Sequence, residues 1–373
     1  MVHFLRIRQE KLMFHVKLLL ISPLLLIGVG CADVTGPEGW ADPVEKNDTI
    51  VLQLKRGVLS GGGINSSGRF LESWRFPYDE DDLDFDGFYA TPIIDGKNAY
   101  IADHSGQVGS IDIETGRLNW SNMRDVGSEI VATPVIHSGK LYVATKNGNV
   151  LVINRDTGAL IDSFEQTEGR IWASPVILGN MLYIASLDAK KIVGIDMANG
   201  AISSEFPLSG GVASSLSTVG GRLLVGTLEG HLSAFTPANS LVEDWKQSLE
   251  GWIIAKPLLA SGTIYAVTSR GVIAAVNPIS GEILWKSTHE DSNFSTTPVI
   301  SNGVLVVVSR KGNVVGLAQG TGKVIWERKI EDIKLLPRPL LVNNQAILLG
   351  RSGEIIHINP QTGNVSNRYK RED

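Results

Sequence analysis

The stretch ATPVIHSGKLYVATKNGNVLVINRDTGALIDSF, Ala132 to Phe164, decides the fold. It reads as four short strands with a turn signal at each junction. The first runs from Ala132 to His137, with Pro134 near its start, where a missing N–H costs a ladder least. The second, Leu141 to Thr145, turns through Asn147-Gly148, both of which tolerate a positive φ. The third, Val150 to Asn154, is followed by Asp156-Thr157-Gly158, where Asp bonds the local backbone and Gly supplies the left-handed conformation. The fourth, Ala159 to Phe164, ends on an aromatic ring.

The same unit recurs along the chain. Small-Pro-hydrophobic segments stand at Pro92, Pro134, Pro175, Pro257, Pro298 and Pro339, with Leu216 at the midpoint of the one double step. An earlier copy aligns without gaps, placing Pro43 on Pro134, and the surplus before Pro92 coincides with the acidic stretch Tyr78 to Gly87. A second marker gives the same count: Trp74, Trp120, Phe164, Phe206, Trp245, Trp285, Trp326 and Tyr369 close eight units. Four-stranded antiparallel units repeated at this period are propeller blades, so the expected fold is all-β, an eight-bladed β-propeller.

Charge beside the aromatic, as in Gly322 to Arg328, marks the fourth strand as outermost, whereas the first three strands are mostly apolar. The eight aromatics are therefore expected to dock each blade on its neighbour, as structural rather than ligand-binding residues. All units run in phase. Blade one should be complete from Trp40 to about Phe76 and blade eight at Tyr369, so that the ring closes with no exchanged strand.

Forty glycines in 373 residues suit many tight turns. A formal net charge of −5 leaves no footprint for nucleic acid, which usually demands a basic patch. The N-terminus is basic through Arg6, Arg8, Lys11 and Lys17, then apolar from Leu18 to Gly30, too short to span a bilayer. This is a signal-peptide layout, with Met1 or Met13 as the start. Cys31 is the lone cysteine, so no internal disulfide can form. Its place after Gly28-Val29-Gly30 resembles a bacterial lipobox, with Gly28 where leucine is usual. The expected organisation is a signal peptide over 1–30, a lipidated tether over 31–39 and the propeller over 40–373. The protein is thus expected outside the cytoplasm, held at a membrane by its lipid.

Asp112-Ile-Glu-Thr-Gly116-Arg-Leu-Asn-Trp120, with its relatives at Asn277 to Trp285 and Asn154 to Phe164, resembles the tryptophan-docking repeat of the pyrroloquinoline-quinone (PQQ) propeller family. The resemblance covers nearly all of residues 40 to 370. That family includes quinoprotein dehydrogenases and non-enzymatic scaffolds such as the propeller lipoprotein of the outer-membrane β-barrel assembly machine. The resemblance to the enzymes implies an adjacent cysteine pair over the cofactor, which this chain cannot make, and long loops carrying calcium ligands and a catalytic aspartate, which its short connections do not provide. No catalytic or PQQ-binding residue is carried over.

Asp82, Asp84 and Asp86, spaced by two and followed by Gly87, resemble the opening of a calcium loop. The twelfth position, where a bidentate Glu should close the loop, is Ile93. The competing reading is a solvated acidic loop between blades one and two. His104, His137, His231, His289 and His357 are scattered singly, and no Gly-x-Ser-x-Gly elbow or phosphate-binding loop is present. Blade five departs from the repeat at Leu216 and at Thr236-Pro237-Ala238-Asn239-Ser240, and blade four at Asp188-Ala189-Lys190-Lys191. Drift in a tolerant repeat and a binding face over blades four and five both explain this. The function expected is a non-catalytic, lipid-anchored envelope scaffold, a monomeric propeller with a protein partner or ligand and no cofactor; the alternative is a PQQ-dependent or other propeller oxidoreductase.

Overall fold

The structure is a computed structural model that describes residues 39–78, 85–165, 168–238, 240–290 and 292–370. Eight four-stranded antiparallel sheets follow one another along the chain, each built from a contiguous stretch. They span Val44–Phe76, Ile93–Asp125, Val135–Glu165, Val176–Pro207, Ser217–Ser248, Leu258–Thr288, Val299–Lys329 and Leu340–Lys370. The fold is an eight-bladed β-propeller, and no strand is traded between the first blade and the last.

In blade three the strands are Val135–His137, Lys140–Ala144, Asn149–Asn154 and Leu160–Glu165. The first begins three residues later than its sequence suggests. The reason is a competing partner: Thr133 donates its N–H to Ser174 Oγ of the next blade (2.9 Å), and Pro134 has no N–H to give. The turn chemistry also moves. Only Gly148 has a positive φ (98°), donating its N–H to Thr145 O (3.0 Å), whereas Asn147 does not enter the left-handed region. Paired left-handed residues occur instead one hairpin earlier, at Ser138-Gly139, and likewise at Asn47-Asp48 and Asn343-Asn344.

Leu141 to Ala144 and Val150 to Ile153 are buried without polar alternation, because each sheet lies between two neighbours. The fourth strand alternates instead, as in Leu241–Ser248, where Leu241 and Trp245 are buried between exposed residues.

Five of the closing aromatics dock in one way. The indole N–H groups of Trp74, Trp120, Trp245, Trp285 and Trp326 donate to the carbonyls of Ile113, Arg155, Pro278, Gln319 and Pro360 in the following blade, at 2.8, 2.9, 3.2, 3.0 and 2.8 Å. Each ring then covers the glycine three residues on: Gly116, Gly158, Gly281, Gly322 or Gly363. Phe164 covers Gly200 in the same manner without a hydrogen bond to give. A Cβ at any of these six would lie 2.3 to 2.5 Å from a ring atom, and all six have φ near +70°. Glycine is required there twice over, by space and by backbone conformation.

Two junctions differ. Phe206 of blade four meets the ring of Phe235 in blade five, centroids 4.9 Å apart, over a turn that has no glycine. Tyr369 of blade eight accepts the Phe70 N–H of blade one through its hydroxyl, closing the ring. Blade two departs in another way: its fourth strand is only Arg124–Asp125, and Trp120 sits in the bend before it.

Candidate functional site

Antiparallel order gathers the blade-to-blade crossings and the turns between second and third strands at one end of every blade. The crossings lead into the first strands, and those strands form the inner edge. Residues entering them hydrogen-bond from blade to blade, whereas the fourth strands carry exposed side chains such as Leu160, Ile161 and Leu284.

At four of the crossings accessibility alternates. Ala41, Ala132, Ala173 and Ala255 are buried, while their neighbours Trp40 and Asp42, Val131 and Thr133, Trp172 and Ser174, Ile254 and Lys256 are accessible. The accessible positions thus face the axis in two stacked rings. The lower ring is made of the residues just before each strand-one proline or its equivalent. Arg338 N donates to Asp42 Oδ1 (2.8 Å), Asp42 N to Thr91 Oγ1 (3.3 Å), Thr91 N to Thr133 Oγ1 (2.9 Å) and Thr133 N to Ser174 Oγ (2.9 Å). Ser215 Oγ donates to Ser174 Oγ (3.0 Å), and Thr297 Oγ1 to the carbonyl of Lys256 (3.1 Å). This belt fixes the crossings to one another.

Three members of the belt are charged. Asp42 Oδ2 lies 3.8 Å from Arg338 Nε, an ion pair without a hydrogen bond, and Arg338 Nε is buried with no hydrogen-bond partner. Lys256 is reached by solvent along the axis yet walled by protein. Burial, and next the nearby Arg338 cation, push its ammonium pKa down. Burial pushes the Asp42 carboxyl up, opposed by the Arg338 N–H and by both cations. In the upper ring Trp40 and Tyr89 meet edge to face at 4.3 Å. On the crossing into blade four, the indole Nε1 of Trp172 is buried and unpartnered.

Farther out on the same face, blade four's irregular turn acquires a role. Asp188 receives Arg170 through Nε and Nη2, both at 2.7 Å, and accepts the Arg170 N–H at 3.2 Å. The Arg170 hydrogen bond holds the Asp188 carboxyl below its usual pKa. The same guanidinium lies 5.7 Å from the Trp172 ring centroid, a cation–π arrangement with both partners partly exposed. Arg170 and Trp172 escaped sequence reasoning. Aligning the crossings rather than the strands would have shown Arg170 five residues, and Trp172 three, ahead of Pro175. Between blades four and five a cleft of roughly 170 Å³ opens below Phe206, lined by His231, Ser233, Glu243 and Lys246 among others. There Lys246 donates to Ser209 Oγ (3.1 Å), which is 2.9 Å from His231 Nδ1.

Of the acidic insert, Asp82 and Asp84 lie outside the described residues, as do Cys31 and Asn239. The Asp86 carboxylate faces Arg56 (3.3 Å to Nη2) and His104 (3.8 Å to Nδ1), and its N–H donates to the buried Asp103 (3.2 Å). Among the described residues no three His, Cys, Asp or Glu side chains gather into a metal-binding group. The histidines lie singly in different blades: His289 meets Glu327 at 3.0 Å, and His357 is buried beneath Tyr369.

No curated protein sequence matches the chain. Among solved structures it is similar to BamB from Moraxella catarrhalis, 19% identical, covering 84% of this chain and 94% of that one, with a TM-score of 0.67. It is also similar to the computationally designed Ika8 protein (18% identity, 74% and 85% coverage, TM-score 0.62). A third likeness is to the C-terminal WD40 domain of Sif2 (10% identity, 83% and 93%, TM-score 0.69). At such identities these likenesses speak for the fold alone. The family described as outer membrane protein assembly factor BamB matches residues 72–206, 203–334 and 245–372. With most of the propeller under that match, the chain belongs to the BamB family of PQQ-repeat propellers.

Proposed function

We propose that this protein is a non-catalytic envelope scaffold, anchored by a lipid on Cys31, that binds a protein partner through its crossing face near Arg170 and Trp172. The observation that carries this reading is the pairing of a belted, preorganised face with an Arg–Trp contact held from below by Asp188. Tryptophan and arginine are the side chains that most often dominate binding energy at protein interfaces, and a fixed rotamer lowers the entropic cost of docking. The family match favours a role in outer-membrane protein assembly.

The donor set does not fit a bound quinone and its calcium. Cys31 is the lone cysteine, and the described residues bring no three metal-ligating side chains together. No catalytic step is derived through that cofactor.

The test is co-purification from intact cells with wild-type protein and with an Arg170→Ala/Trp172→Ala double variant. The expected result is an envelope assembly protein recovered with the wild type and reduced at least tenfold with the variant. Dye reduction by purified protein supplied with PQQ and calcium would contradict the reading. Mass spectrometry of the mature N-terminus tests the anchor: a diacylglyceryl group on Cys31 is expected, and an unmodified thiol would refute it.

A further inference from the structure

The axial belt has an imbalance that its own residues do not resolve. Arg338 and Lys256 bring two positive charges, and Asp42 brings one negative charge. Asp42 accepts the Arg338 N–H at 2.8 Å but stands 3.8 Å from Arg338 Nε, which stays buried without a hydrogen bond. The ammonium of Lys256 has no hydrogen bond or ion pair among the described residues. Its pKa is pushed down by burial and by the nearby Arg338 cation. Two residues earlier on the same alternating crossings stand Trp40 and Ile254, both partly accessible on the side that Asp42 and Lys256 share, with Tyr89 packed edge to face on Trp40. The place therefore offers spare donors, one uncompensated positive charge and an apolar collar.

We propose that the axial ring of this propeller is a binding site for an apolar monocarboxylate, its carboxylate held by Lys256 and Arg338 and its hydrocarbon body by the collar above. A monoanion matches the single spare charge, whereas a phosphate dianion would overcompensate it in a partly desolvated place. A planar carboxylate also suits the open side of the Arg338 fork. Asp42 is the internal competitor for that charge, 3.8 Å from Arg338 Nε without a hydrogen bond to it. The inference uses neither Arg170 nor Trp172, although Trp172 stands in the same upper ring as Trp40.

The chemistry has two sources, a free organic acid or the terminal carboxylate of a polypeptide. The probes are 3-phenylpropionate against its amide, and a tripeptide ending in leucine with a free or an amidated C-terminus, titrated calorimetrically into the mature protein. Either acid should bind at least about tenfold tighter than its amide, as one charge-assisted contact predicts. Binding of the tripeptide acid alone would assign the polypeptide source, and binding of both would assign small acids as well. Lys256→Gln should weaken acid binding about tenfold with the thermal midpoint retained, while Asp42→Asn should strengthen it by removing the competing negative charge. Equal affinity for acid and amide, no binding of either acid at millimolar concentration, or an unchanged affinity in Lys256→Gln would overturn the proposal.

Discussion

Six blade junctions and the remaining two solve one problem differently. At Trp74, Trp120, Phe164, Trp245, Trp285 and Trp326 a ring closes over a left-handed glycine of the next blade. From blade four to five, Phe206 meets Phe235 over a turn without glycine. From blade eight to one, Tyr369 reaches a backbone N–H instead. The first kind is locked, by ring, carbonyl and glycine at the five tryptophans and by ring and glycine at Phe164. At the blade four to five junction there is slack, visible as the polar cleft beside Phe206. Blade four, which ends at the slack junction, also carries the Asp188 turn that orients Arg170. The repeat is strict at six junctions and relaxed at two, one of them at the end of the blade that carries the Asp188–Arg170 pair.

The largest effect should come from breaking a locked junction. Trp326→Ala removes a buried ring and leaves the Pro360 carbonyl without its donor, and should cost about 3–5 kcal/mol in urea denaturation. Phe206→Ala, at a half-exposed ring beside an existing cleft, should cost about half as much; equal costs would erase the distinction. Gly322→Ala forces a Cβ to 2.3 Å from the Trp285 ring at φ +68°, and should destabilise by about 2–4 kcal/mol. Gly139→Ala, at a similar φ with open space around it, should cost only about 1 kcal/mol, and thermal melting separates the two.

At the closing junction, Tyr369→Phe leaves the Phe70 N–H unpaired and should cost about 1–2 kcal/mol. The smallest effect is acid sensitivity. Burial holds the His357 imidazole below its usual pKa, and its Nε2 has no hydrogen-bond partner. The unfolded chain takes up a proton near pH 6.5 while the folded chain resists until lower pH. Stability should therefore be unaffected by His357 above that pH and decline as pH falls below it. Urea midpoints between pH 7.5 and 5.5 should show a slope that His357→Gln reduces, and an unchanged slope would reject this assignment.

The blade count and register were legible because Pro134 and its equivalents, and Trp120 and its equivalents, recur independently. The glycine partners were legible as turn residues, but not as docking floors. That role depends on a ring from the preceding blade, which strand patterning within one unit cannot show. The turn at Asn147-Gly148 was legible, but not that Gly148 alone would enter the left-handed region there, whereas Ser138-Gly139 do so as a pair one hairpin earlier. The axial ring was least legible. Asp42, Lys256 and Arg338 are far apart in sequence and look like isolated departures from Ser or Thr until eightfold closure sets them around one axis.

The repeat itself supplies the control for the claim that function sits where it is relaxed. Arg170 and Lys334 occupy equivalent crossing positions, five residues before Pro175 and Pro339. A photo-crosslinking amino acid at each position in turn, in intact cells, should capture an envelope assembly protein from position 170 and little or none from position 334. Equal capture from both, or capture from position 334 alone, would contradict the assignment of the docking face.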